Sequence, residues 1–404
     1  MKKISFYAVL AVATLASVSC SNDDVLVQSP NVNKPIEFGV YTGRSAAMAP
    51  TRAESIDNID SLANDGGFGV FAYYTNNEDY ETAKGVGVAK PNFMYNTNVY
   101  KAGDVWAYDP LKYWPNDETD RLTFFAYAPY ADHTDANDNF EFSAKDANGD
   151  PLVTFTVNND VKKQQDLLWS STNNINLIKN KDGGVTVDAK TTFEFKHALS
   201  RIGFTVKAII DEVVATPNFN LDEETTIVLR EVRLTQGDVV GNTAPTGAPF
   251  RTTGVLNLNN QETSAKWASF SGEQYFTLNN DDFEAQAGVT YDSEGFVLNS
   301  SNAITANKLN TDDSYIMIIP MNLSFNVYVE YDVITKDTNL DGGESKVTNH
   351  ISTPVHINFY SGKSYMLNLQ LGMTSVKVDA SVAPWETANG SNVDLPANQN
   401  QNQN

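Results

Sequence analysis

Few side chains in this sequence are spaced for chemistry. Its one thiol, Cys20, has no partner cysteine, so neither a disulfide framework nor a thiolate zinc site can be built. Four histidines, His133, His197, His350 and His356, are scattered without metal-ligand spacing. The run Asp337-Thr338-Asn339-Leu340-Asp341-Gly342 repeats the first half of a calcium loop, whose oxygen ligands alternate before a turn-forming glycine. Its twelfth position is Thr348 where a bidentate glutamate is needed, and strand-like sequence flanks it, so a hairpin loop is expected. No G-x-S-x-G elbow precedes a helix, and Gly85-Val86-Gly87 opens no phosphate cradle. Carboxylates that could pair for glycoside hydrolysis lie mostly in turns such as Asn279-Asn280-Asp281-Asp282. No catalytic, cofactor or metal site is therefore assigned, and a non-enzyme is expected. The residues left that stand apart are Cys20, the lone thiol, and Arg44 and Arg52, two arginines in a small, polar stretch.

The stretch that carries them begins with a leader. Lys2 and Lys3 precede an uncharged apolar run, Ile4 to Val18, and small residues lead into Cys20. The run is too short for a permanent span, which needs about 20 apolar residues. A leader ending at a cysteine resembles a bacterial lipoprotein signal, with Ser17 where leucine is usual. That resemblance implies cleavage after residue 19 and acylation of Cys20. Ser21, Asn22, Asp23 and Asp24 are similar to the acidic tag that sends lipoproteins of Bacteroidota to the outer face of the outer membrane.

Charge narrows the partners. The chain of 404 residues has 28 basic and 50 acidic residues, a net charge of -22. A phosphate backbone needs clustered Lys and Arg, so nucleic acid is excluded. Such an acidic balance suits an extracellular surface kept soluble by self-repulsion.

The elements that position these residues are strands. Residues 20–35 read as a polar tether. Ile36, Phe38 and Val40 then alternate with Glu37, Gly39 and Tyr41, the period of a half-buried strand. From Thr42 to Ala53 the sequence turns small and polar, the composition of an exposed loop open to proteases. Asp57 to Ala63 is a short helix candidate with Ile56, Ile59 and Leu62 on one face. Strand-like runs follow at Phe68–Tyr74, Phe93–Tyr100, Val105–Trp114, Leu122–Tyr130, Val153–Val157 and Leu167–Ser170. A second series begins at Phe193 and ends with Tyr365–Leu371 and the alternating row Val376, Val378, Ala380 and Val382. Two sets of about seven short strands predict an all-β protein of two tandem β-sandwiches, residues 36–190 and 191–386, with an Asn/Gln-rich tail over 387–404 expected to be disordered. Tyr108, Tyr113, Trp114, Phe124, Phe125, Tyr127 and Tyr130 are dense enough for a sugar platform, but strand spacing favours core. Asp60-Ser61-Leu62 resembles a short O-glycosylation pattern.

Taken in order, several strings resemble the fimbrillin-like proteins of Bacteroidota: Phe68-Gly69-Val70-Phe71-Ala72-Tyr73-Tyr74, Trp106 to Pro115, Leu122 to Tyr130, Asp166-Leu167-Leu168-Trp169, Phe195 to Ile202, and Gly362-Lys363-Ser364-Tyr365 with Trp385. The resemblance covers Cys20 to about Glu386. It implies two transthyretin-like sandwiches exported as a lipoprotein and clipped by an arginine-specific protease after the first strand. It also implies a groove in the amino-terminal domain, filled by the carboxy-terminal strand of another subunit. On this sequence the removed strand is Ile36, Phe38 and Val40 with their neighbours, and the cut follows Arg52 or, second, Arg44. The donor is Ser375 to Glu386, with Val376, Val378, Ala380 and Val382 facing the groove. Partners are then other fimbrial subunits, in a homopolymer or a heteropolymer, the outer membrane through Cys20, and a host protein or glycan. Periodicity alone is equally compatible with Ser375 to Glu386 completing its own sandwich. The polar ending after Trp385 leaves a tip or accessory role open, as well as a non-polymerising surface lipoprotein.

Overall fold

A computed structural model describes residues 35–41, 59–115, 119–132, 139–170, 190–209, 221, 223–260, 264–279, 282–283, 291–292, 295–309, 315–385 and 393–394. The leader, Cys20, Arg44, Arg52, His133 and nearly all of the 387–404 tail lie outside the described residues. The first strands are β1 (Glu37–Tyr41), β2 (Phe68–Tyr74), β3 (Met94–Ala102), β4 (Val105–Ala107), β5 (Leu122–Ala128), β6 (Phe140–Phe142), β7 (Leu152–Thr156), β8 (Leu168–Ser170) and β9 (Lys190–His197). After them come β10 (Ser200–Ala208), β11 (Thr225–Thr235), β12 (Thr253–Asn257), β13 (Lys266–Ser271), β14 (Phe276–Asn279), β15 (Tyr291–Asp292), β16 (Gly295–Leu298) and β17 (Asn307–Lys308). The last are β18 (Ile316–Ile318), β19 (Asn322–Lys336), β20 (Glu344–Asn358), β21 (Lys363–Leu371), β22 (Val376–Pro384) and β23 (Val393–Asp394). Two short α-helices, α1 (Ile59–Asn64) and α2 (Tyr80–Gly85), and a single 3-10 turn at Val161–Lys163 interrupt the described strands. No described helix is long and apolar enough to cross a membrane.

The all-β expectation holds. Strands β1-β4-β3-β2-β5-β8-β9 close into a barrel. Two larger sheets, β17-β10-β21-β22-β23 with β18, and β15-β16-β11-β19-β20 with β14, enclose a second core between them. A four-stranded sheet, β13-β12-β7-β6, covers one side of the barrel.

β2 and β5 are buried on both faces, which is why their sequences are nearly continuous apolar runs with no polar alternation. Phe68, Val70, Ala72, Phe124 and Ala126 line the barrel interior. Phe71, Tyr73, Phe125, Tyr127 and Trp169 point outward, against Phe140, Val153, Phe155 and Leu256 of the four-stranded sheet. Gly69 is required there, since a Cβ would sit 2.2 Å from the Tyr127 ring. Of the aromatics that could have formed a platform, Tyr108, Trp114, Phe124, Phe125 and Tyr127 are buried core, whereas Tyr113 is 45% exposed.

The expected domain boundary near residue 191 falls inside β9, which pairs with β1 and β8 in the barrel. β12, from beyond that point, pairs with β7 over five positions. The short helix predicted over 57–63 is found as α1, where Leu62 is fully buried in the barrel core. At the start of α2 the Asp79 side chain accepts from Thr82 N–H and so satisfies one of its unpaired amides.

Candidate strand-exchange site

β1 is held unequally on its two sides. Along one edge it runs parallel to β9 over five successive positions, Glu37 opposite Lys190 through Tyr41 opposite Glu194. Along the other edge a single residue, Phe38 opposite Trp106, pairs antiparallel with β4. Three contacts extend that weaker side: a bridge from Pro35 to Tyr113, Ile36 N donating to Lys112 O at 2.9 Å, and Tyr108 OH donating to Ile36 O at 2.8 Å. Burial pushes the Tyr108 phenol above its ordinary range, so it keeps the proton it donates.

The inner row of β1 explains what it contributes. Ile36 is 1% exposed and Phe38 3%, with Val40 partly buried behind them. The Phe38 ring centroid lies 5.2 Å from Tyr108, 5.6 Å from Phe193, 5.8 Å from Phe124 and 6.4 Å from Phe68. Burying side chains of this size stabilises by about 1.5–3 kcal/mol each. Withdrawing β1 leaves the β9 amides and carbonyls that pair with it facing an empty edge and an apolar slot open to water, both unfavourable. The strand read over Ile36 to Tyr41 is found as β1, and it lies in the barrel. The chain leaves β1 at Tyr41 and is described again from Ile59, and both arginines fall in the connection between.

β22 occupies a place in its own sheet. It pairs with β21 over nine positions, Leu371 opposite Val376 through Lys363 opposite Pro384. Val376, Val378, Ala380 and Val382 are partly buried against the core between the two larger sheets. Its other edge meets β23 at two positions, Ser381 and Val382. Beside β22, a groove of about 790 Å³ runs toward β20, lined by Thr353 to Ile357 and by Val376, Val378 and Ala380.

The end of β22 is fastened by residues that sequence reasoning did not connect. Trp385 is fully buried in the core shared by the barrel and the four-stranded sheet. Its ring stacks on His197 at 4.2 Å with planes 5° apart, and the Arg201 guanidinium lies 5.1 Å above it. His197 Nδ1 is 2.8 Å from Oδ2 of the fully buried Asp166, whose other oxygen accepts from Leu167 N. The strings Asp166–Trp169, Phe195–Ile202 and Trp385 were each visible in the sequence; that they meet was not, because more than 180 residues separate His197 from Trp385. The histidines are otherwise apart: His350 stacks on Tyr328, and His356 Nδ1 lies 2.8 Å from Ser324 Oγ. Among the described residues no cluster of three or more His, Cys, Asp or Glu could hold a metal. The Asp337 loop is the β19–β20 turn, its Oδ1 accepting from Asn339 N at 2.9 Å.

The sequence matches the family model described as fimbrillin-like over residues 51–385. The chain belongs to the fimbrillin-like family. Among its relatives is a fimbrium subunit, Fim1C, of Phocaeicola vulgatus, 26% identical over 405 residues that cover 96% of this chain and 98% of the relative. A fimbrial protein of Bacteroides vulgatus known from a crystal structure shares the fold at a TM-score of 0.65 and 24% identity, covering 87% of this chain and 100% of that one. In this fimbrillin-like protein the family match starts ten residues past the end of β1, so it takes in Arg52 but neither β1 nor Arg44.

Proposed function

We propose that this chain is a structural and adhesive subunit of a cell-surface fimbria, exported as a lipoprotein on Cys20 to the outer membrane and incorporated by strand exchange. Cleavage after Arg52 or Arg44 frees β1, and the closing strand of another subunit takes its seat. In turn Val376, Val378, Ala380 and Val382 of this chain leave their own sheet to fill a neighbour's. The observation that carries the reading is the way β1 is mounted: a strand with a deeply buried inner row, laddered fully on one edge, paired at a single residue on the other, and followed by the connection bearing both arginines. A replacement strand restores the ladder and the burial together. Membership of a family with a fimbrium subunit among its relatives agrees with it.

The test is to shear fimbriae from producing cells and sequence the amino terminus of this chain by mass spectrometry. Chains beginning just after residue 52 or 44, and the absence of the R44A/R52A double variant from the fibres, are expected. Fibres whose subunits retain Ile36 to Tyr41 would contradict it.

A second reading, a non-polymerising surface lipoprotein that binds host protein or glycan, draws on the seating of β22 and Trp385 within their own chain. It expects the clipped protein to stay monomeric with every fimbrial subunit offered.

A further inference from the structure

The barrel is built around one side chain of β1. Its inner row reads Ile36, Phe38, Val40, and the four rings around Phe38, those of Phe68, Tyr108, Phe124 and Phe193, leave a hole of phenylalanine size when the strand departs. The row that β22 brings is Val376, Val378, Ala380, Val382 and, at its end, Pro384. Side chains alternate with period two, so every even shift of register puts valine, alanine or proline where Phe38 stood. Odd shifts present Lys377, Asp379, Ser381 or the small Ala383 instead. Trp385, the one aromatic of the segment, has the wrong parity and is enclosed by His197 and Arg201 in its own chain. A close-packed interior loses contact on all sides of an undersized residue.

We propose that the seat of this chain is completed by a different subunit, whose donated strand carries a large aromatic between two aliphatic residues at alternate positions, and not by a second copy of this chain. The inference rests on the strand-exchange reading. It makes the joint selective by shape, because the chain's own closing strand leaves a void in the barrel and is disfavoured against the correct partner. The fibre at this point is then a heteropolymer with a fixed neighbour.

The full chain is cut with an arginine-specific protease, the cut located by mass spectrometry, and the freed fragment released in mild denaturant. Labelled peptides are then titrated against it by fluorescence anisotropy: residues 35–41, residues 375–386, and the latter carrying Val378→Phe or Ala380→Phe. The 35–41 peptide is expected to bind, and the unaltered 375–386 peptide to bind about tenfold or more weakly than the better of its phenylalanine variants. An unaltered peptide that binds as tightly as both variants overturns the proposal and leaves strand exchange standing. A 35–41 peptide that does not bind sinks strand exchange and the proposal together.

Discussion

Tyr108 does for β1 what the short β4 pairing cannot. Its hydroxyl reaches Ile36 O at 2.8 Å and also lies 3.2 Å from Lys112 O, tying the start of the strand to the loop that follows β4. The Tyr108→Phe variant keeps the ring packed on Phe38 and removes only this tie. Stability is expected to fall by about 1 kcal/mol in urea titration. Amides of residues 36–38 should lose hydrogen-exchange protection before those of β9, and an unchanged exchange pattern would show that the ladder to β9 suffices alone. Opposite Phe38, Thr191 has a buried hydroxyl with no hydrogen-bond partner among the described residues, a cost that the seated strand does not relieve.

At the scale of elements, β22 and Trp385 have separable roles. The strand supplies a ladder to β21, whereas the indole anchors its end in a different core, the one behind the barrel. Replacing Trp385 by alanine removes a large buried side chain at about 3–5 kcal/mol. Exchange is expected to speed up in residues 376–384 while β1 and β9 keep their protection, as read by peptide-resolved hydrogen–deuterium exchange. Equal loosening of β1 would mean that the substitution unfolds the barrel generally. The strands that sequence patterns miss share a physical reason. The first residues of β20, from Glu344 to His350, are polar and mostly exposed because β20 is an outer strand of its sheet. An edge strand buries little, so alternation is weak there. Val105 to Trp114 reads as one run but forms a strand only to Ala107; Tyr108 and Trp114 are core residues carried on loop, so their hydrophobicity reports burial and not pairing.

Across the whole molecule, the core behind the barrel joins parts that the sequence divides. It holds Phe71 and Tyr127 from the barrel, Phe155 and Leu256 from strands on either side of residue 191, and Met317, Ile319 and Trp385 from the last third of the chain. Differential scanning calorimetry of the uncut chain is therefore expected to show one cooperative transition, with calorimetric and van't Hoff enthalpies in agreement. Two resolved transitions would mean that the barrel and the larger sandwich melt independently. The all-β class, the strand character of β1 and many of the other strands were legible because they depend on local period and apolar content. The β7–β12 pairing and the meeting of Asp166, His197 and Trp385 were not, since long-range contacts leave no mark on a local pattern.

The parallel run of β1 beside β9 also carries a direction. In the proposed exchange, a guest strand that inherits this ladder enters with the same polarity, and it comes from the opposite end of its own molecule. The surfaces that meet are thus unlike, a heterologous contact in which neither partner can return the favour to the other. Such a joint does not close on itself as a two-fold pair; it always leaves one vacancy and one spare strand, which is the geometry of open-ended growth.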